Sequence, residues 1–301
     1  MKKAACWAVF LLDTRFESVR MNAEKTDYDL LYNPRLVVSD YQQVFDRWER
    51  DSERARARFD CYLDVPYGPA DTETLDVFRA KGGSRGLLMY IHGGYWRSLD
   101  KKRFSFVAPA LAEAGITVAT VNYALCPSVQ VADIVMQIVQ ASAWLYRNGG
   151  NFGAPPGRLG VCGHSAGGHL AAMMLACQWP RYSPDLPEKV VSGALSISGL
   201  YDLTEIVKVP SINCDVRLSD RAALKVSPAF LPPATDAPLY TAVGSEENEG
   251  FHIQNRLISE RWAKVHRADI ACEGRNHFTV LDELSNPRTS LFKAALNLMR
   301  P

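Results

Sequence analysis

The stretch that most constrains this chain is Arg158 to Ala176, whose sequence predicts a buried strand, a very tight turn and a helix. At its centre lies Gly163-His-Ser-Ala-Gly167, a G-x-S-x-G pattern in the strand-to-helix setting that gives the pattern meaning. A strand that turns into a helix within a few residues brings backbone segments too close for side chains, so glycine is needed on both sides of the turn. The pattern therefore predicts Ser165 as a nucleophile at the apex, and a glycine-rich turn with an incidental serine is the structural alternative.

A second glycine motif follows an apolar strand earlier in the chain. Residues 86–91 are apolar and lead directly into His92-Gly-Gly-Tyr-Trp96. Paired glycines allow backbone amides to approach a carbonyl oxygen closely. We expect the amides of Gly94 and Tyr95 to form an oxyanion hole with the amide of Ala166, which starts the helix after the serine.

The aromatic pair next to this expected hole is a candidate for substrate contact. Tyr95 and Trp96 could stack on an aromatic ring of the substrate. An aromatic pair at a strand end is about as often packing as binding, so both interpretations stay open.

The rest of the chain alternates strands and helices, which predicts an α/β fold with a mainly parallel sheet covered by helices on both faces. The patterns predict strands over 58–65, 73–79, 86–91, 116–122, 193–198, 239–243 and 268–272, in addition to the strand before Ser165. They predict helices over 41–58, 104–114, 129–147, 255–265 and 291–299, and a loop-rich excursion over 199–233.

The length of 301 residues is compatible with one α/β domain. We expect residues 28–301 to form that single domain and residues 1–27 to be an N-terminal extension outside the fold. Its first twelve residues loosely resemble a signal peptide, but the apolar run is short and no cleavage site follows it.

Charge and cysteine content bear on partners and compartment. The 34 Lys and Arg residues almost balance the 33 Asp and Glu residues, so we expect a small-molecule substrate and neither nucleic acid nor an anionic membrane as partner. Seven scattered cysteines without a C-x-x-C pattern argue against a disulfide framework and against a zinc site. We therefore expect a cytoplasmic protein without metal or cofactor, and a homodimer is left open.

The general base is predicted from its position after a strand. In parallel sheets, catalytic groups collect at the carboxyl ends of the strands. Among the six histidines, His277 follows a predicted strand in a short loop after the serine, which predicts it as the base. His92 and His164 lie in the two glycine motifs, where we expect their backbones to matter more than their rings.

The third group should be an acid after the strand over 239–243. A carboxylate there would hold the imidazole in the right tautomer and stabilise the imidazolium that forms during attack. The residues alone leave several acids open. Glu246, Glu247 and Glu249 compete after that strand, Asp202 after the preceding strand is the other contender, and Asp282 is disfavoured because it follows the base rather than a strand.

Four segments of the chain resemble the kynurenine formamidase (arylformamidase) family of the α/β-hydrolase superfamily. They are Tyr32-Asn-Pro-Arg35, His92-Gly-Gly-Tyr-Trp96, Asn122-Tyr-Ala-Leu-Cys-Pro127 and Gly163-His-Ser-Ala-Gly-Gly-His169. The resemblance runs from about Tyr28 to the C-terminus. Laid over Val243 to Phe251, the pattern of that family selects Glu247 as the acid, although Gly250 stands where the family usually has an acidic residue.

The resemblance implies an α/β-hydrolase fold and a serine hydrolase. It implies cleavage of the formamide of N-formyl-L-kynurenine, or of a similar aryl formamide, to formate and the free amine through a formyl-serine intermediate. Because the same groups would cleave a small ester, a short-chain carboxylesterase is the alternative function. A non-catalytic binding module on a hydrolase fold is a third hypothesis, which would predict a broken set of catalytic residues.

Overall fold

The computed structural model describes residues 9–10 and 26–299 of the chain. Within these residues all strands belong to one eight-stranded sheet with the order β1-β2-β4-β3-β5-β6-β7-β8. The strands are β1 Cys61–Pro66, β2 Thr74–Phe78, β3 Leu87–Ile91, β4 Thr117–Val121, β5 Leu159–His164, β6 Gly193–Ile197, β7 Leu239–Gly244 and β8 His266–Cys272.

Strands β3 to β8 pair in parallel, and β1 and β2 add an antiparallel edge next to β4. Every residue of β3, β4, β5 and β6 is buried, because both faces of the sheet centre are covered. Continuous apolar runs are typical of such doubly covered strands. The predicted α/β architecture with a mainly parallel sheet is confirmed.

Helices cover both faces of the sheet. The helices over 131–148 and 166–176 pack on one face, whereas those over 41–58, 108–113 and 290–297 pack on the other. In the described part of the chain the helices are α1 Tyr28–Tyr32, α2 Tyr41–Arg58, α3 Ala108–Glu113, α4 Val131–Asn148, α5 Ala166–Ala176, α6 Trp179–Tyr182, α7 Thr204–Val207, α8 Pro210–Val216, α9 Asp220–Lys225, α10 Glu249–Arg261, α11 Val280–Leu284 and α12 Ser290–Asn297. Short 3-10 segments lie at Pro34–Leu36, Lys101–Val107, Gly149–Phe152 and Pro228–Phe230.

Two predictions of secondary structure were wrong in detail. The helix predicted to begin at residue 255 is α10, which begins at Glu249, and Gly250 in its first turn is packed against the first helix. A Cβ at Gly250 would lie 2.5 Å from the carbonyl oxygen of Leu31, so close packing explains this glycine. The excursion over 199–233 contains α7, α8 and α9, which have only four, seven and six residues and are too short for a periodic pattern.

Four residues of the predicted N-terminal extension are described, at positions 9, 10, 26 and 27, and two of these are buried. They are Val9 and Phe10, and the amide of Gln178 donates a hydrogen bond of 2.8 Å to the carbonyl oxygen of Val9. The other residues up to 25 lie outside the described part of the chain, so the expectation for the extension as a whole stays a prediction.

No helix in the part of the chain that the structure describes is long and apolar enough to cross a lipid bilayer. The parallel strands instead place the loops that follow them at one end of the sheet. Because β5, β6, β7 and β8 run in the same direction, the residues that follow them meet at their shared carboxyl end.

Candidate active site

Ser165 lies alone between β5, which ends at His164, and α5, which begins at Ala166. Its backbone has φ 57° and ψ −119°, a conformation that residues other than glycine rarely adopt. The flanking glycines make the turn possible. A Cβ at Gly163 would lie 2.0 Å from the carbonyl oxygen of Gly167, and a Cβ at Gly167 would lie 2.0 Å from that of Ile91. The predicted strand, tight turn and helix are present.

His277, in the loop after β8, bonds to Glu247, in the loop after β7. Its Nδ1 lies 2.6 Å from Oε2 of Glu247, and both side chains are buried. The other carboxylate oxygen, Oε1, accepts hydrogen bonds from the hydroxyl of Ser198 at 2.6 Å and from the amide of Gly244 at 2.8 Å. Both oxygens of Glu247 are thus bonded, which fixes the carboxylate toward the imidazole.

The other four contenders for the acid lie elsewhere. Glu246 is exposed, and Asp202 accepts hydrogen bonds from the backbone and hydroxyl of Thr204. Two others are engaged in ion pairs, Glu249 with Arg256 and Asp282 with Arg47. The structure therefore pairs His277 with Glu247, the residue that the family pattern selects.

The ring of His164 supports the loop that carries His277. Its Nε2 lies 2.7 Å from the carbonyl oxygen of His277, and the two ring centroids are 4.7 Å apart. Burial lowers the pKa of His164 well below its usual value, and the nearby His277 acts in the same direction. A neutral ring donates from Nε2 to that carbonyl. The sequence placed the emphasis on the backbone of His164 and did not indicate this contact of its ring, because the loop after β8 is distant in sequence.

The ring of His92, at the start of the glycine loop, is also buried. It stacks on Tyr123 at 4.2 Å and on Phe104 at 5.7 Å, and its Nδ1 lies 2.7 Å from the carbonyl oxygen of Gly93. Burial lowers the pKa of His92 to about 4. This ring therefore holds the start of the glycine loop in place, which the sequence did not indicate.

The glycine loop after β3 lies directly against the serine. A Cβ at Gly93 would come within 3.1 Å of Cβ of Ser165, so only glycine allows this approach. Gly94 has φ 107° and Tyr95 φ 50°. Within the described chain, the amides of Gly94, Tyr95 and Ala166 donate no hydrogen bond to another protein group. These three amides are therefore available to donate hydrogen bonds to an acceptor on a bound ligand.

Ser165 and His277 line one cavity together with the glycine loop. The walls of this cavity, called the serine cavity below, are formed by Asn33, Pro34, Arg35, Phe45, Trp48, Gly93, Gly94, Tyr95, Arg97, Ser98, Leu99, Phe104, His164 and Phe278. A hydroxyl, and an imidazole bonded to a buried carboxylate, are the groups used in nucleophilic acyl transfer.

The two aromatic residues predicted to contact substrate are placed differently. Tyr95 lines the serine cavity, and its hydroxyl donates a hydrogen bond to the carbonyl oxygen of Tyr32. Trp96 is fully buried, and its Nε1 lies 3.2 Å from Nδ1 of His169. The structure does not bring Trp96 into the cavity wall, because the turn after Tyr95 directs its ring into the core.

Sequence reasoning missed three contributions to this site. Ser198 follows β6 at the carboxyl end of the parallel strands, so the rule that located His277 could have found it. Phe45 and Trp48 of helix α2 also line the serine cavity, and their position in the predicted helix over 41–58 gave no sign of that. Asn33 and Arg35 also line the serine cavity. In the sequence, only the resemblance of Tyr32 to Arg35 to the family pointed to them.

The fold and this group of side chains define a hydrolase of the α/β class. The family described as "alpha/beta hydrolase fold" matches residues 88–247, and the chain belongs to that family.

Within the family, the chain resembles the kynurenine formamidases. The kynurenine formamidase of Danio rerio is 29% identical over 280 residues, which are 89% of this chain and 92% of that protein. The kynurenine formamidase of Salmo salar is 31% identical over 260 residues, covering 82% of this chain and 85% of the other. A crystal structure from Silicibacter sp. TM1040, whose protein carries a provisional thioesterase assignment, superposes with a TM-score of 0.80 at 29% identity and covers 90% of this chain and 100% of its own.

Proposed function

We propose that the protein is an arylformamidase-like serine hydrolase that cleaves the formamide of N-formyl-L-kynurenine, or of a similar aryl formamide, to formate and the free aryl amine. The observation that carries this proposal is the aromatic wall of the serine cavity, in a chain that resembles the kynurenine formamidases along most of its length. The wall contains Phe45, Trp48, Tyr95, Phe104 and Phe278. Aromatic walls with a few placed polar groups suit the binding of an aryl ring.

The first half-reaction forms a formyl-serine. His277 takes the hydroxyl proton of Ser165 while the oxygen bonds to the formyl carbon and the carbonyl electrons move onto its oxygen. The amides of Gly94, Tyr95 and Ala166 stabilise this oxyanion. The bond from carbon to nitrogen then breaks, and protonated His277 transfers its proton to the leaving amine.

The second half-reaction is hydrolysis of the formyl-serine. Water gives a proton to His277 and its oxygen bonds to the formyl carbon; the bond to Ser165 breaks, and the serine oxygen regains the proton. Formate is released. Glu247 stabilises the imidazolium in both halves, and His164 does not oppose it, since burial lowers the pKa of His164 and keeps that ring uncharged.

The proposal is tested by formate release from N-formyl-L-kynurenine, measured beside hydrolysis of p-nitrophenyl acetate by the same purified protein. We expect the higher kcat/KM for the formamide. Rapid hydrolysis of the ester with the formamide untouched would instead favour the short-chain carboxylesterase.

That carboxylesterase is the second candidate because of the likeness to the provisional thioesterase from Silicibacter, which extends over nearly the whole chain. Ester, thioester and formamide hydrolysis share a tetrahedral intermediate and use the same groups. A fluorophosphonate probe separates both from the non-catalytic hypothesis. We expect one covalent adduct, located at Ser165 by mass spectrometry, whereas a binding module would give none.

A further inference from the structure

The serine cavity has an unequal distribution of charge. Two arginines, Arg35 and Arg97, line it, and no aspartate or glutamate of the described residues does. An unbalanced cationic wall favours an anionic ligand.

Arg97 is already neutralised by protein groups. Its Nη1 lies 2.6 Å from Oδ2 of Asp215 and 2.7 Å from the carbonyl oxygen of Ser211. The nearby Arg103 is likewise paired, with Oε2 of Glu49 at 3.0 Å from its Nη2. Neither guanidinium is available without loss of an existing ion pair.

Arg35 differs from both, since it forms no ion pair with a carboxylate of the described chain. Its guanidinium carbon lies 5.6 Å from the ring centroids of Tyr41 and Phe45. A guanidinium held over aromatic faces keeps the donors at its edge free for a planar carboxylate. Desolvation of the guanidinium lowers the pKa of Arg35, Tyr41 opposes this shift, and the charges of Arg97 and Arg103 add to it, while the residue as a whole stays exposed to solvent.

We propose that Arg35 binds a carboxylate of the substrate, so that the enzyme prefers aryl formamides carrying an anionic group away from the formyl group. The part of this inference that concerns formamides rests on the proposed function. The preference for an anionic substrate does not depend on it. Phe45 lies between Arg35 and the proposed nucleophile, because its ring contacts Arg35 and lines the same cavity as Ser165.

The same charge distribution distinguishes a carboxylate from an ammonium on the substrate. N-formyl-L-kynurenine carries both a carboxylate and an ammonium at its α-amino-acid end. Since no described acid lines the cavity, the ammonium has no carboxylate partner there. The deaminated analogue, which keeps the carboxylate alone, should be hydrolysed with a kcat/KM at least equal to that of N-formyl-L-kynurenine.

The test compares wild type, Arg35→Gln and Arg35→Lys on two matched pairs of substrates. The formamide pair is the deaminated analogue of N-formyl-L-kynurenine and ortho-formamidoacetophenone, which lacks the carboxylate. The ester pair is para-acetoxybenzoate and phenyl acetate. The measured quantity is the selectivity, defined as kcat/KM for the anionic member divided by that for the neutral member.

We expect Arg35→Gln to lower the selectivity about 10- to 100-fold, mainly through KM, as for loss of a charge-assisted hydrogen-bonded pair. Arg35→Lys should keep part of it, because lysine retains the charge without the planar fork. The wild-type selectivity should also fall with added salt.

Arg103→Gln is the matched control, because it removes a neighbouring charge that does not line the cavity. It should change the selectivity by about threefold or less. Equal effects of Arg35→Gln and Arg103→Gln, or a wild type that prefers the neutral members, would overturn the proposal. If wild type cleaves neither formamide, the proposed function fails, and the ester pair still decides the role of Arg35.

Discussion

Ser165 and His277 line one cavity, and His277 bonds to a buried carboxylate. We expect Ser165→Ala and His277→Ala each to lower kcat by about four orders of magnitude, because nucleophile and base act as a unit. The measurement is formate release under saturating substrate. Thermal unfolding serves as the control for folding, and a Ser165→Ala variant that is folded and retains most of its activity would contradict the assignment.

Two adjacent glutamates allow a matched comparison. Glu247 is buried and bonded to His277, whereas Glu246 is exposed. Glu247→Gln should lower kcat about 1,000-fold or more, because an amide group facing Nδ1 favours the wrong tautomer of the imidazole. Glu246→Gln should stay within about twofold of wild type, as for an ordinary surface substitution. Kinetics of both variants with one substrate decide the point, and a larger loss from Glu246→Gln would reverse the assignment.

At the scale of elements, the junction of β5 and α5 depends on the absence of side chains. A Cβ at Gly163 would lie 2.0 Å from a backbone oxygen that cannot move without shifting α5. Gly163→Ala should therefore lower the free energy of unfolding by about 3 kcal/mol or more.

Gly150 provides the control, because a Cβ there would meet nothing within 4 Å. Gly150→Ala should stay within about 0.5 kcal/mol of wild type. Equilibrium unfolding in urea measures both variants. Equal stabilities of the two variants would show that the junction tolerates a methyl group and that glycine is present at position 163 for another reason.

At the scale of the whole molecule, buried neutral histidines make stability depend on pH. Burial lowers the pKa of His92 and of His169 from 6.5 to about 4, and it also lowers the pKa of His164 well below its usual value. Between pH 6.5 and about 4 the unfolded chain binds more protons than the folded one, so the free energy of unfolding falls as pH falls. His92 and His169 each contribute up to about 3 kcal/mol to this loss.

The check is urea unfolding of wild type and His169→Gln between about pH 7 and pH 5. The variant is expected to be less stable at the upper end, since His169 bonds to Val226 and Trp96. Its stability should nevertheless fall less steeply, because one titrating group is gone. Parallel curves would mean that His169 does not titrate differently in the two states.

The groups at the carboxyl end of the parallel strands show which features local sequence patterns can predict. Apolar runs and glycine positions predicted β3, β5 and the turn at Ser165, since these features answer short-range requirements of backbone sterics and side-chain period. The position of His277 followed from the rule that functional groups collect at the carboxyl ends of parallel strands. That much of the fold and site is contained in the order of residues along the chain.

The choice of Glu247 among five acids needed the resemblance to a family or the structure, because burial next to an imidazole depends on segments distant in sequence. The same holds for the ring of His164 against the His277 loop and for Trp96, which lies in the core. Phe45 and Arg35 come from a segment well before the sheet and reach the serine cavity only through packing. Sequence alone therefore determined the strands, the tight turn and the order of the functional groups, whereas tertiary structure decided which charges are buried, paired or left without a partner, because those properties depend on neighbours in space.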